Sequence, residues 1–298
     1  MKHLLCAAAA ALLATLAQAQ PVTLTTPSGT LHGTLTVPAE PKPAPLLLLH
    51  PGSGPTDRDG NNPLLPGHAG SLKLLAEALA TRGVATLRID KRGIAQSAPA
   101  APAEAGLRFG GYVDDAAGWL RQYAGDARFC AVLAGGHSEG AQIAVRAAEA
   151  GGARAVVLLA GAGRPALALV RAQLQPQLPA ALYAQADAAL TRIAAGEVGQ
   201  PTPPGLEALL RPSVQPYLAS WLALDPAADL ARWRGPALVV WGEADAQVSA
   251  ADFTALAQAR PDAQTLRVAG MDHALKVGGE LAPQVAEAVA VFAQGQCR

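Results

Sequence analysis

The chain has 298 residues, 51% of them hydrophobic, enough to bury a large core in one domain with insertions. Its 23 basic and 23 acidic residues balance and only 4% of residues are aromatic, which argues against a nucleic-acid surface or an anionic membrane partner. The first residues read as a processing signal. Met1-Lys2-His3 is a short positive start, residues 4–17 are a near-continuous apolar run, and Ala17-Gln18-Ala19 fits a small-x-small cleavage site. Cleavage after Ala19 would leave Gln20 as the mature start of a periplasmic or secreted protein. No later stretch is apolar over the roughly 20 residues that a spanning helix needs, so no stable membrane association is expected.

In chain order, residues 22–26 and 30–37 read as two strands joined through Pro27-Ser28-Gly29. Residues 45–49 are a continuous apolar run that ends in His50-Pro51-Gly52-Ser53-Gly54, the pattern of a buried parallel strand entering a loop. Helical periodicity over 71–81 follows, with Ser71 as the expected cap and Gly83 as the stop. Strands are expected at 84–89, 129–134 and 155–160, and helices at 112–123 and 141–150. Between about 164 and 224 the rhythm breaks into an Ala-, Leu-, Gln- and Pro-rich segment. It resumes as strand 237–241, helix 251–259, strand 264–268 and helix 282–293. This alternation predicts an α/β fold, an open and mostly parallel sheet with helices on both faces. The interruption reads as a helical lid, so the expected divisions are a signal (1–19), a core (20–163), a lid (164–224) and the rest of the core (225–298).

Between strand 129–134 and helix 141–150 lies Gly136-His137-Ser138-Glu139-Gly140. Glycine two residues either side of a serine, at a strand-to-helix turn, is the pattern of an exposed nucleophile whose backbone folds back sharply. A serine hydroxyl is a poor nucleophile alone and needs a general base, which in turn needs an orienting acid. In the α/β-hydrolases, whose nucleophile turn this stretch resembles, the chain order is serine, acid, histidine. Of six histidines only His273 follows Ser138, just past strand 264–268. The acid should follow strand 237–241, where Asp245 is the first choice and Glu243 the second. Asp272 shares the base's own loop and is poorly placed to reach behind the ring. One oxyanion donor would be the backbone N–H of Glu139, and the other would come from the loop after strand 45–49. Pro51 has no N–H, so Gly52 or Ser53 must supply it.

The chain resembles the serine α/β-hydrolases, and more narrowly the exported esterase-like members with a GSGPxDRDGN loop, an RxDKRGxxxS segment and a GHSEG elbow. Here these stand at residues 52–61, at Arg88 to Gly93 with Ser97, and at 136–140, with a G-x-x-D-x-x-V acid segment at Gly242, Asp245 and Val248. The resemblance implies an α/β-hydrolase fold, a triad of Ser138, Asp245 and His273, and oxyanion donors at Ser53 and Glu139. It also implies hydrolysis of carboxylic esters through an acyl-enzyme, and an apolar site covered by the lid would favour esters of small to medium size. Gly52 stays open as the second donor because Pro51 interrupts the usual His-Gly pair. A peptidase or amidase on the same triad is the alternative, and an inactive binding protein on the same fold is a third reading.

The expected partner is a small-molecule ester. With no phosphate-cradling loop and no metal-ligand spacing, no cofactor or metal is implied. Asp57, Arg58, Asp59, Asp90 and Arg92 read as scaffold for the site. Removing the signal leaves Cys130 and Cys297, which the topology brings towards one edge of the sheet and an exporting compartment would allow to pair. The lid should line an acyl pocket with Leu167, Leu174, Leu178, Leu182 and Tyr183, while Pro176, Pro179, Pro203 and Pro204 break it into short helices.

Overall fold

The computed structural model describes residues 17–40, 42–65, 67–101, 103–297. The expected signal is outside them except for its last three residues. Eight strands form one sheet in the order β1-β2-β4-β3-β5-β6-β7-β8. They are β1 (Gln18–Thr26), β2 (Gly29–Val37), β3 (Ala44–His50), β4 (Ala85–Ile89), β5 (Phe129–His137), β6 (Ala155–Leu159), β7 (Ala237–Gly242) and β8 (Gln264–Val268). The first two pairings are antiparallel, and every pairing from β4 through β8 is parallel.

Strands β3, β6 and β7 are fully buried and almost wholly apolar because both faces are covered, whereas the edge strand β8 is mostly exposed. In β3, Leu46 and Leu48 enter one core while Leu47 and Leu49 enter the other, as the two-residue period of a strand requires. The first core is completed by α2 (Phe109–Tyr123) and α3 (Glu139–Gly151). The second is completed by α1 (Ser71–Ala80) and α10 (Pro283–Gly295). Cys130 at the start of β5 and Cys297 after α10 are disulfide-bonded, with 5.1 Å between their Cα atoms.

Between β6 and β7 the chain forms α4 (Ala166–Leu174), α5 (Ala180–Ala194), α6 (Glu207–Leu210), α7 (Gln215–Leu222) and α8 (Pro226–Arg232), before α9 (Ala250–Ala259) follows β7. The helical interruption therefore runs past residue 224. Pro179 stands at the N-cap of α5, and Pro203 and Pro204 lie in the connection before α6. The insertion has no core of its own: Ala186, Leu190, Leu218 and Trp221 pack into the α2–α3 side of the sheet.

Two local expectations are corrected. Ser71 does not cap α1; Gly70 occupies that position at φ 58°, and Ser71 is the buried first residue of the helix. The first-turn amides of Leu72 and Lys73, which have no partner within the helix, donate instead to the carbonyl of Asp59, so a loop does what a side chain was expected to do. Strand β5 also runs three residues beyond 134, because Gly135, Gly136 and His137 keep pairing with β3 or β6 up to the turn. Two 3-10 turns at Ala95–Ala100 and Glu104–Gly106, and a small ribbon of β9 (Lys276–Val277) with β10 (Glu280–Leu281), have no counterpart in the sequence reading. Among the described residues no helix is long and apolar enough to cross a membrane.

Candidate active site

Four loops leave the C-terminal ends of parallel strands of the sheet and converge, the place where open α/β sheets bind ligands. Ser53 follows β3, Ser138 follows β5, Asp245 follows β7 and His273 follows β8.

Ser138 has φ 56° and ψ −123°, a positive-φ conformation that a side chain adopts only under constraint. The constraint comes from both glycines. A Cβ at Gly136 would collide with the Gly140 carbonyl, and one at Gly140 would collide with the carbonyls of His50 and Pro51. Gly140 thereby lets the loop after β3 lie directly on the start of α3. Glu139 is the first residue of α3, so its amide is among those a helix leaves without an internal partner, and it points toward the positive end of the helix dipole.

His273 Nδ1 donates to Asp245 Oδ2 at 2.8 Å. The other oxygen of Asp245 accepts from the backbone N–H groups of Gln247 (2.8 Å) and Val248 (2.9 Å), and its side chain is fully buried. The carboxylate is thus fixed from behind, and a proton held on Nδ1 leaves Nε2 as the acceptor that a general base requires. Glu243 takes no part; it faces Arg267 at 3.4 Å on the surface. Asp272 turns back to the amide of Lys276. Among the described residues no hydrogen bond joins the Ser138 hydroxyl to His273. That contact commonly closes only when substrate binds.

A second histidine links the two. His137 Nε2 donates to the carbonyl of His273 at 2.6 Å, and the two rings lie 4.7 Å apart. Burial, then the neighbouring His273, lowers its pKa to about 3, so His137 is neutral and serves as a strut between the elbow and the base's loop. Sequence reasoning passed over it, although its place beside the serine was a usable signal.

The charged segments fall into ion pairs, as expected for a scaffold. Arg58 bonds Asp90 at 2.5 Å and also reaches Gln96 and Thr34. Arg88 pairs with Asp59, and Arg92 pairs with Asp115 at 2.5 Å. Asp57 folds its own loop by accepting from the amides of Asp59 and Asn61. The side chain of Glu139 lies in the first turn of α3. It is buried, accepts from Tyr217 on α7 at 2.6 Å and faces Lys91 at 4.0 Å. Burial raises its pKa, with Lys91 and Tyr217 opposing.

A narrow cleft opens on Ser53, Ser138 and Glu139. Its walls are Ala162, Ala166 and Leu169 with Trp221 and Pro226, and Gln142, Gln173 and Gln247 add polar groups. This corrects the expected lining. Leu167, Leu174, Leu178 and Leu182 pack against the core, and none of them nor Tyr183 reaches the cleft. A helix of 3.6 residues per turn sends only one face towards the serine, and on α4 that face is Ala166, Leu169 and Gln173.

The family described as serine aminopeptidase, S33, matches residues 65–195. No curated protein matches the sequence. Among solved structures, the chain is similar to Est1E from Butyrivibrio proteoclasticus, with 18% identity, a TM-score of 0.62, and coverage of 93% of this chain and 98% of that one. A thermophilic esterase from Thermogutta terrifontis is similar at 17% identity and a TM-score of 0.59, covering 94% of this chain and all of that one. A puromycin-hydrolyzing peptidase of Mycobacterium tuberculosis matches at 17% identity and a TM-score of 0.61, over 98% of this chain and 42% of the longer one.

Proposed function

We propose that this protein, which has the α/β-hydrolase fold, is an exported serine hydrolase that cleaves small to medium carboxylic esters. The reading rests on one observation above the rest. A histidine oriented by a buried carboxylate, a serine held at positive φ and two backbone donor segments all lie at the C-terminal ends of parallel strands of one sheet.

In this reading Ser138 Oγ attacks the ester carbonyl carbon while its proton passes to His273 Nε2. The tetrahedral oxyanion is held by the amides of Glu139 and Ser53. Collapse breaks the ester C–O bond, and the departing alkoxide takes the proton from His273. Water then attacks the acyl-enzyme with His273 again as base, releasing the carboxylic acid and restoring Ser138. The cleft over Ser138 is narrow and closed in by Leu169, Trp221 and Pro226, which supports short acyl groups over polymers. The test is a burst of aryl alcohol from an activated acetate ester, with a fluorophosphonate adding mass at Ser138 and abolishing turnover. Absence of both would leave a binding protein.

The match to a serine aminopeptidase family supports a second reading, amide cleavage by the same triad. Turnover of matched ester and amide substrates separates the two. Export is supported by the N-terminal pattern and by a disulfide of the kind an oxidising compartment maintains. Recovery of the protein from the cell envelope with Gln20 as its first residue is the result expected.

A further inference from the structure

The DKRG segment after β4 carries three consecutive charged residues, and each goes to a different element. Asp90 bonds Arg58 and Arg92 bonds Asp115 on α2, both ordinary braces. Lys91 is different. Its side chain is 1% exposed, and its ammonium donates to the carbonyls of Gly52 and of Gly54, the latter at 2.7 Å. Those carbonyls flank Ser53. The same ammonium lies 4.0 Å from Glu139 Oε2 and 5.7 Å from the centre of the Tyr112 ring. One buried cation therefore touches the loop after β3 and the side chain of the residue that follows Ser138.

A trans peptide group sets the consequence. The C=O of residue i and the N–H of residue i+1 point in opposite directions across one plane. With the Gly52 carbonyl turned to Lys91, the Ser53 N–H must turn away from it. Ser53 lines the cleft with Ser138, and a Cβ at Gly52 would sit 3.3 Å from Ser138 Cβ, so the peptide lies against the nucleophile. A cation at the carbonyl end of an amide also polarises its N–H end and strengthens the bond that this N–H gives to an anion.

We infer that Lys91 is a positioning residue for the oxyanion hole: it orients the Ser53 N–H into the cleft, and ties that loop to the Glu139 end of α3. The inference rests on the serine-hydrolase reading above, and it selects Ser53 over Gly52 as the second donor. Tyr217, bonded to Glu139, extends the same network to the helical insertion, so seating of α7 and geometry of the oxyanion hole share one contact chain.

The groups facing Lys91 are Glu139 from α3, Tyr112 from α2 and His50 from β3. Burial pushes the Tyr112 phenol up and brings His50 down to about 3, and it raises Glu139 against the pull of Lys91 and Tyr217. Burial lowers Lys91 itself to about 8, with Glu139 opposing. The ammonium is charged below that value and neutral above it, so turnover that depends on the charge should fall as pH rises through about 8.

The experiment compares wild type with Lys91→Met and with Lys91→Gln, which keeps a donor for one carbonyl should the Met variant fail to fold. Thermal melting and fluorophosphonate labelling establish folding and the serine's presence. Steady-state kinetics on an aryl acetate, and inhibition by a trifluoromethyl ketone that forms a tetrahedral adduct, read the oxyanion hole. Loss of one oriented donor predicts kcat lower by about 100-fold, KM within about threefold of wild type, and ketone binding weakened in step with kcat. The wild-type decline of kcat above the lysine's pKa should vanish in the folded variant. A folded variant with wild-type kcat, or one whose loss falls on KM alone, would overturn the role of Lys91 while leaving the hydrolase reading intact. If neither variant folds, the wild-type pH profile decides, and the absence of that decline overturns the role. A wild type that neither hydrolyses esters or amides nor reacts with fluorophosphonate overturns the hydrolase reading first, and the role of Lys91 with it.

Discussion

Two regions meet over Ser138, and they contribute in different ways. From the sheet come backbone and fixed polar groups: the positive-φ turn, the amides of Ser53 and Glu139, and the Asp245–His273 pair braced by the amides of Gln247 and Val248. From the insertion come side chains, with Leu169 on α4 and Trp221 on α7 forming the wall and Tyr217 reaching Glu139. The sheet's part depends on where the chain is forced to go by strand pairing and close glycine contacts. The insertion's part depends on which face of each short helix happens to turn inward. Chemistry should therefore be brittle to change on the sheet side, and substrate preference should be adjustable on the insertion side.

The sharpest way to break this contrast is at the triad. Ser138→Ala and His273→Ala should each lower kcat by on the order of 10⁵, and Asp245→Asn by about 10⁴, with melting temperature unchanged. Glu243→Gln should be silent. An active Ser138→Ala protein, assayed by aryl-ester hydrolysis, would remove the chemistry from the sheet side altogether.

A smaller effect, first on stability, is expected at the elbow. Gly140→Ala places a methyl group against the His50 and Pro51 carbonyls, neither of which can move without disturbing β3. It should cost about 3 kcal/mol in denaturant unfolding and should lower activity with it. The Cys130–Cys297 bond closes a long loop, its cysteines a sequence separation of 167 apart. Cys130→Ser should lower stability by about 2–4 kcal/mol and leave kcat as it was, because the bond lies at the opposite end of β5 from Ser138.

The smallest effect, about 1–2 kcal/mol in relative transition-state energy, belongs to the insertion. Leu169→Ala or Trp221→Ala should shift the ratio of kcat/KM between acetate and butyrate esters by about tenfold. Ser substitutions at Leu178 and Leu182 should change stability but not that ratio, since these residues pack on the core. If the two pairs exchanged these behaviours, the cleft would open on the other face of the helices.

The parts of the molecule differ in how far they could be read from residue order. The parallel strands, the elbow and the serine–acid–histidine order were legible because each depends on local rules: apolar runs, glycines on either side of Ser138, and a histidine in the one loop that fits the order. The insertion was legible as helical and as broken by proline, but its inward face was not. Leu178 and Leu169 look alike in the sequence, and only packing separates a half-buried leucine that rests on the core from a buried one that lines the cleft.

What the sequence by itself determined was the layered α/β arrangement and the candidates for chemistry, Ser138, Asp245 and His273 among them, since backbone periodicity and residue chemistry carry that information locally. What tertiary structure alone decided were the long-range polar contacts. His137 bonds the His273 carbonyl across 136 positions of chain, and Tyr217 reaches Glu139 across 78. Lys91 holds the carbonyl of Gly52 across 39. A buried polar group must find a partner wherever the fold brings one, and the identity of that partner is settled by strand order and loop geometry, which no local pattern of residues contains.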